Sequence, residues 1–318
     1  MNNQIDIIIV NWNSGNQLKE CLISIERYGY KELERVVVVD NASSDGSAEG
    51  VEKRFADLPV EVVYNDKNLG FARACNQGAR SGSAPYLLFL NPDTEIYDKS
   101  ILRPLQFMEA EENADVGICG VQLVDEYGAV SRTCARFPTL GRLTAQAFGV
   151  NRIKGLKHTG MHMNDWDHSQ TCDVNQVIGA FFLIRRNLFE HLSGFDERFF
   201  VYFEEVDFCF RARSLGYKSV YLANAWAFHA GGGTSRQVKA IRLFYSLRSR
   251  LLYGFKHFPR WQVWALGIVT LMIEPFTRLI FCSLCRDWEG MINTLRGYRL
   301  LWQDLPRIVA VGTQKGAG

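Results

Sequence analysis

With 318 residues, 47% of them hydrophobic and 22% charged, the chain is long enough for one large or two medium globular domains and too apolar for a disordered protein. A formal charge of +2 excludes a chain that is basic throughout, yet no Asp or Glu lies between Asp207 and Glu274, an interval holding ten Lys or Arg. That asymmetry assigns an anionic partner to the C-terminal third: a phosphate-bearing substrate, an acidic membrane surface or nucleic acid.

The opening MNNQIDIIIVNW has no basic leader and passes straight into an apolar run, so no signal peptide is expected and a cytoplasmic location follows. Apolar, β-branched runs recur at Ile5 to Val10, Val36 to Val39, Val60 to Tyr64 and Tyr86 to Leu90, separated by helix-like stretches such as NQLKECLISIERY. Strand and helix alternating in this way predict an α/β fold, a doubly wound, mainly parallel sheet with helices on both faces. Ligands in such sheets bind beyond the carboxyl ends of the strands. Those ends carry Asn11 and Asn13, Asp40 and Asn41, Asn65 to Gly70, and Asn91 to Asp93, more polar chemistry than turns alone require. No G-x-G-x-x-G follows the first strand and no P-loop occurs, which removes the dinucleotide-binding and P-loop readings.

An acid at the mouth of a core strand, as in YLLFLNPDTEI, calls for a metal or phosphate partner, although Asn91-Pro92-Asp93 also suits a plain turn. Residues 126–174, rich in Gly, Arg, His and Trp, carry no assigned element and are read as an acceptor loop. In VIGAFFLIRR, Phe181 to Ile184 is a core strand, and the small Gly179 and Ala180 let backbone approach a reacting group. FFVYFEEVDFCFRARSLGY places Glu204, Glu205 and Asp207 at the start of a helix with Phe203, Val206 and Phe210 on its apolar side. Asp207 and Arg211, four apart, are a structural pair; acids here also cap a helix N-terminus. His229, in AWAFHAGGGTS, ends an apolar stretch before three glycines able to approach a phosphate closely.

Seven basic residues from Arg236 to Arg260 alternate with Leu, Phe and Tyr, and the apolar run Trp261 to Ile273 follows. Thirteen residues are too few to cross a bilayer, and Glu274, Pro275 and Arg278 are expected to interrupt any extension. A short apolar helix with basic and aromatic flanks is what a monotopic anchor needs, and residues 236–285 are read as a membrane-surface contact; a core or homodimer helix is the plain alternative. No recognised module supports nucleic-acid binding. The eight scattered cysteines suit buried thiols in a reducing compartment, and Cys282–Cys285, without a second pair, is not read as a zinc or redox site.

Taken in order, IIIVNWN, VVVVDNASSDGS, NLGFARACNQGAR, LFLNPDTEI, VIGAFFLIRR, GFDERFFVYFEEVDFCFRARSLGY and FHAGGGTS resemble the family 2 inverting glycosyltransferases of the GT-A fold, and among them the bacterial rhamnosyltransferase-like branch that builds cell-surface polysaccharide. The likeness runs over roughly residues 5 to 250. It implies a nucleotide-sugar half at 1–125, an acceptor and catalytic half at 126–235, and a C-terminal helical region at 236–318. By the same resemblance, Asn11, Asp40, Asn68, Gly70, Phe71, Asn76, Asn91, Asp93, Ser235 and Arg236 meet the nucleotide-diphosphate sugar donor, while Gly179, Ala180 and Asp196 face the acceptor. Asp93 and His229 would hold Mg²⁺ or Mn²⁺, with Asn91 replacing the first acid of the family's D-x-D element. Glu205 would be the base and Glu204 its understudy. The implied reaction moves a rhamnosyl unit from dTDP-rhamnose to a glycan or polyprenyl-linked glycan at the inner face of the cell membrane. A UDP-hexose or UDP-galactofuranose donor, and a catalytically silent nucleotide-sugar or glycan-binding protein, are the alternatives; the latter would not need the set Asp93, Glu205 and His229.

Overall fold

The computed structural model describes residues 5–29, 33–231 and 238–313. The chain divides into two compact units, the first comprising residues 1–135, 166–197 and 204–234, the second 136–165, 198–203 and 235–318.

Among the described residues the first unit is one nine-stranded sheet in the order β3 (Val60–Tyr64), β2 (Leu33–Asp40), β1 (Ile5–Asn11), β4 (Tyr86–Leu90), β8 (Phe181–Arg185), β6 (Val116–Val124), β9 (Lys218–His229) and β5 (Thr94–Ile96), with β7 (Cys172–Val174) added on β9. Its first half is all parallel: β1 (Ile5–Asn11) lies between β2 (Leu33–Asp40) and β4 (Tyr86–Leu90), and β3 (Val60–Tyr64) borders β2. Every residue of β1 and β4 is buried, as strands covered on both faces must be, which explains their largely apolar runs, broken in β1 by Asp6, which Arg186 pairs. The covering helices α1 (Asn16–Tyr28), α2 (Val51–Arg54) and α3 (Phe71–Ala79) alternate with these strands. Beyond β4 the sheet becomes mixed. β5 (Thr94–Ile96), α4 (Leu102–Glu109), β6 (Val116–Val124), β7 (Cys172–Val174) and β8 (Phe181–Arg185) follow in the chain, then β9 (Lys218–His229). β8 runs antiparallel to both β4 and β6, and β5 antiparallel to β9. Phe181 to Ile184 form the expected core strand, and α6 (Arg186–His191) and α7 (Glu204–Ser214) succeed it. The apolar side of α7 differs in detail from expectation: Val206, Phe208 and Cys209 are buried, Phe203 precedes the helix, and Phe210 is half-buried.

The second unit is helical. It contains α5 (Leu140–Ala147), α8 (Lys239–His257), α9 (Arg260–Ile268), α10 (Glu274–Leu284) and α11 (Trp288–Thr313), around Leu247, Leu251, Tyr253, Leu266, Tyr298 and Leu301. Residues 198–203 are tied to α8 through Ser249 Oγ donating to the Val201 carbonyl at 2.8 Å and the stacked Phe200 and Tyr245 rings, 4.6 Å apart. The expected interruption at Glu274 does not occur. A π turn, Val269–Ile273, joins α9 to α10, so Arg260–Leu284 is a 25-residue helical stretch long and apolar enough to cross a membrane. Pro275 sits in the first turn of α10, where a missing N–H is tolerated. Glu274, only 1% exposed, is held by Arg250 of α8 and by Arg278 at 2.8 Å, so its charge is compensated.

Candidate active site

Parallel register sets Asn11 directly beside Asp40 at the carboxyl edge of the sheet. Asn11 is fully buried, and its amide donates to Asp40 Oδ1 at 2.7 Å and to Ser47 Oγ at 2.8 Å, while its carbonyl accepts from the Ser14 hydroxyl. Such engagement makes Asn11 a support for Asp40. Asp40 Oδ2 also accepts from Ser43 N at 3.1 Å in a local turn, and a carboxylate so placed retains lone pairs for a further hydroxyl or N–H. Asn41, singled out only as a polar strand end, stitches the next strand end in place: its Nδ2 donates to Asn68 Oδ1 at 2.9 Å and its Oδ1 accepts from Leu69 N at 2.9 Å. The turn closes with Gly70 N donating to Asn68 Oδ1 at 2.9 Å, and Gly70, at φ +88°, turns the chain into α3 at Phe71. A Cβ on Gly179 would lie 4.0 Å from the Phe71 ring, so the donor-side turn and the start of β8 are neighbours.

Asn76 is engaged across the fold. Its Oδ1 accepts from Phe195 N at 2.9 Å and its Nδ2 donates to the Phe195 carbonyl at 2.8 Å and Glu197 Oε1 at 3.1 Å. It clamps the turn that carries the half-buried Asp196. Ala180 is likewise internal: its carbonyl accepts from Asn91 N at 3.1 Å, fixing the loop after β4 against the start of β8.

Asp93 and His229 meet. Thr94 pairs with His229 across β5 and β9, Ala230 N donates to the Asp93 carbonyl at 3.1 Å, and His229 Nε2 lies 3.4 Å from Asp93 Oδ1. Both side chains retain about a tenth of their exposure, enough to share a ligand. Among the described residues no group of three or more His, Cys, Asp or Glu is arranged to hold a metal alone. A carboxylate and an imidazole can provide two positions of an octahedral shell, leaving the others to phosphate oxygens and water. Ser235 and Arg236 lie outside the described residues.

The glutamates open α7. The chain enters it through Tyr202 and Phe203 at φ +67° and +72°, a left-handed conformation that bulky residues adopt only under constraint. Oε2 of Glu204 and Oε2 of Glu205 are both buried without a hydrogen-bond partner. Glu205 Oε1 receives a long contact, 3.4 Å, from Gln176 Nε2, which also donates to the Val177 carbonyl, and the carboxyl accepts from the Glu205 and Val206 backbone N–H groups. Burial pushes both carboxyls up, Glu205 to about 7, and the neighbouring Glu205 charge raises Glu204 further. Four residues separate Gln176 from Ala180, a reach of at most about 14 Å, so the same segment contacts Glu205 and the loop carrying Asn91. Asp207 behaves as expected, pairing with Arg211 at 2.8 Å, while Arg211 donates to the Leu192 and Gly194 carbonyls. Glu205, the facing Asp93 and His229, and the amides at the strand ends all belong to the first unit.

Residues 6–206 match the model of glycosyl transferase family 2. The chain is 27% identical over 241 residues to the N-acetylglucosaminyl-diphospho-decaprenol L-rhamnosyltransferase of Mycobacterium tuberculosis, covering 72% of this chain and 76% of that one. It is 27% identical over 176 residues to the rhamnosyltransferase WbbL of Escherichia coli, covering 55% of this chain and 63% of WbbL. In fold it is similar to a mannosyltransferase of Pyrobaculum calidifontis solved with GDP-Man and Mn²⁺, with a TM-score of 0.55 and 15% identity over 97% of this chain and 85% of that one.

Proposed function

The chain belongs to glycosyl transferase family 2, in its rhamnosyltransferase-like branch, and on that premise we propose that it transfers a rhamnosyl unit, with inversion, from dTDP-rhamnose to a polyprenyl-diphosphate-linked or growing glycan at the inner face of the membrane. The observation that carries this reading is the buried Glu205 Oε2, without a hydrogen-bond partner, on the same unit as the facing Asp93 and His229.

Asp40 and the Asn68–Phe71 turn hold the nucleoside, with Asn11 and Asn41 fixing them in place. Asn91 meets the donor sugar beside Gly179, and Asp196 receives the acceptor. Asp93 and His229 fit a divalent cation, Mg²⁺ or Mn²⁺, which when bound neutralises charge on the donor diphosphate. Glu205 Oε2 accepts the acceptor hydroxyl's proton as that oxygen bonds to the anomeric carbon and the bond to the diphosphate breaks on the opposite face. A carboxyl whose proton affinity burial has raised to about 7 is suited to this step at neutral pH. Glu204, more strongly protonated, stays neutral behind it.

The names of the relatives support the donor and the lipid-linked acceptor. The test is turnover with dTDP-rhamnose, UDP-glucose, UDP-galactofuranose and GDP-mannose, with and without Mn²⁺ or Mg²⁺, on a polyprenyl-diphosphate N-acetylglucosamine acceptor. Transfer from dTDP-rhamnose alone is expected, and preferred use of another donor overturns the rhamnosyl assignment.

A further inference from the structure

The second unit contains nineteen Lys and Arg against five Asp and Glu, a formal +14, whereas the first contains seventeen against twenty-nine, a formal −12. The near-neutral whole conceals this division. On the stretch Arg260–Leu284, an unbroken ladder of Trp264, Ile268, Met272, Phe276, Ile280 and Leu284 stands exposed at every fourth position. In an α-helix residues four apart drift about 40° around the axis, so six of them would wind off one face. The π turn Val269–Ile273 advances less per residue and takes back part of the drift, holding the ladder to one side.

The opposite side is occupied. Leu266, Thr270 and Glu274 are buried, a Cβ on Gly254 of α8 would come within 2.7 Å of Leu266, and Glu274 binds Arg250 of α8. Residues 140–159 pack on the same stretch, with Thr277 Oγ1 donating to the Ala147 carbonyl at 2.7 Å and Arg152 stacked 4.4 Å over Phe281. They add exposed Phe148, Ile153 and Leu156, together with exposed Lys154 and Lys157.

We infer that residues 140–159 and the Arg260–Leu284 ladder form one surface that lies in the plane of an anionic bilayer, with Phe148, Ile153 and Leu156 entering it beside the helix. This rests on the membrane contact proposed above and adds its orientation and a second element. A spanning orientation would draw α8, with Arg248 and Arg250 on its packed side, into hydrocarbon, an arrangement that bilayers disfavour. A second copy would bring another +14 unit face to face with the first, whereas acidic headgroups complement it.

The experiment is co-flotation of the full chain with vesicles of phosphatidylcholine, pure or with phosphatidylglycerol, with donor hydrolysis measured in parallel. Binding to the anionic vesicles is expected. Replacing Lys154→Gln and Lys157→Gln together weakens it about 25-fold, at roughly fivefold per cation. Phe148→Ser with Ile153→Ser weakens it further, with donor hydrolysis unchanged throughout. Trp261→Cys and the native Cys285, at the two ends of the stretch, both react with an impermeant maleimide added outside sealed vesicles. Labelling at one end only overturns the in-plane arrangement. Wild-type affinity in the lysine variant removes residues 140–159 from the surface, and a stable lipid-free dimer that ignores vesicles replaces the bilayer with a second copy. Loss of donor hydrolysis with vesicle binding intact faults the catalytic reading and leaves this one standing.

Discussion

Carboxylates are buried in two regions of the same sheet unit, and they are treated differently. At the tip of β2, Asp40 accepts from Asn11 and Ser43, and on the inner side of α7 Asp207 is paired with Arg211. Glu204 and Glu205, within one turn of Asp207, each keep an oxygen with no partner. An uncompensated buried carboxyl lowers stability and raises its own proton affinity; Asp6 also keeps an unpartnered Oδ1 but has the Arg186 guanidinium against its other oxygen, so the cost weighs most on Glu204 and Glu205. On the proposed mechanism that pair is where a transfer reaction needs a base poised near neutral pH, which would separate a framework acid from a working one.

The contrast breaks first on Glu205→Gln. Turnover should fall about 10²–10⁴-fold with donor binding retained in calorimetry, while the melting temperature holds or rises because a strained ionisable group has gone. Undiminished turnover would end the base assignment. Asp207→Asn should do the reverse: stability drops by roughly 3 kcal/mol in denaturant titration, because Arg211 is left with only the Leu192 and Gly194 carbonyls. Folded Asp207→Asn protein should keep most of its activity.

pH sharpens the same difference. Glu205 binds its proton more tightly folded than unfolded, so the stability it contributes is complete below about pH 4.5 and is lost as pH rises to about 7. A shift from 4.5 to about 7 corresponds to about 3 kcal/mol at most. Activity moves the other way, since the base must be unprotonated: kcat/KM rises with pH through about 7. Denaturation midpoints measured from pH 4 to pH 8 should fall for the wild type and flatten in Glu205→Gln. Parallel slopes in the two proteins would mean that Glu205 is not the group responsible.

Much of this was readable from the sequence because it is local. Buried parallel strands must be apolar runs, and in β1 to β4 those runs end on the polar residues that line the sheet's edge. Asp93 stands just before β5 and His229 ends its neighbour β9, and it is the family resemblance of their motifs that predicts them together. What could not be read depends on distant partners. Asn76 is engaged by Phe195, 119 positions away, and nothing around Gln176 marks it as a neighbour of Glu205. The helix runs on through Pro275 because Arg250, 24 residues earlier, neutralises Glu274; hydropathy along the chain contains no trace of that pair.

The smallest effect tests whether the satisfied region is truly framework. Asn41 donates to Asn68 Oδ1 and to the Gly70 carbonyl at 3.2 Å, and accepts from Leu69 N, so its side chain alone fastens the Asn68–Gly70 turn to β2. Asn41→Ala leaves those groups to water at the edge of the sheet, a loss of about 1–2 kcal/mol. If the turn only holds the nucleoside, that loss falls on donor binding: KM for the donor rises roughly tenfold while kcat stays within about twofold, as expected when ground state and transition state lose the same contact. A drop in kcat with unchanged KM would instead tie the amide row to the chemical step and erase the distinction between the two regions.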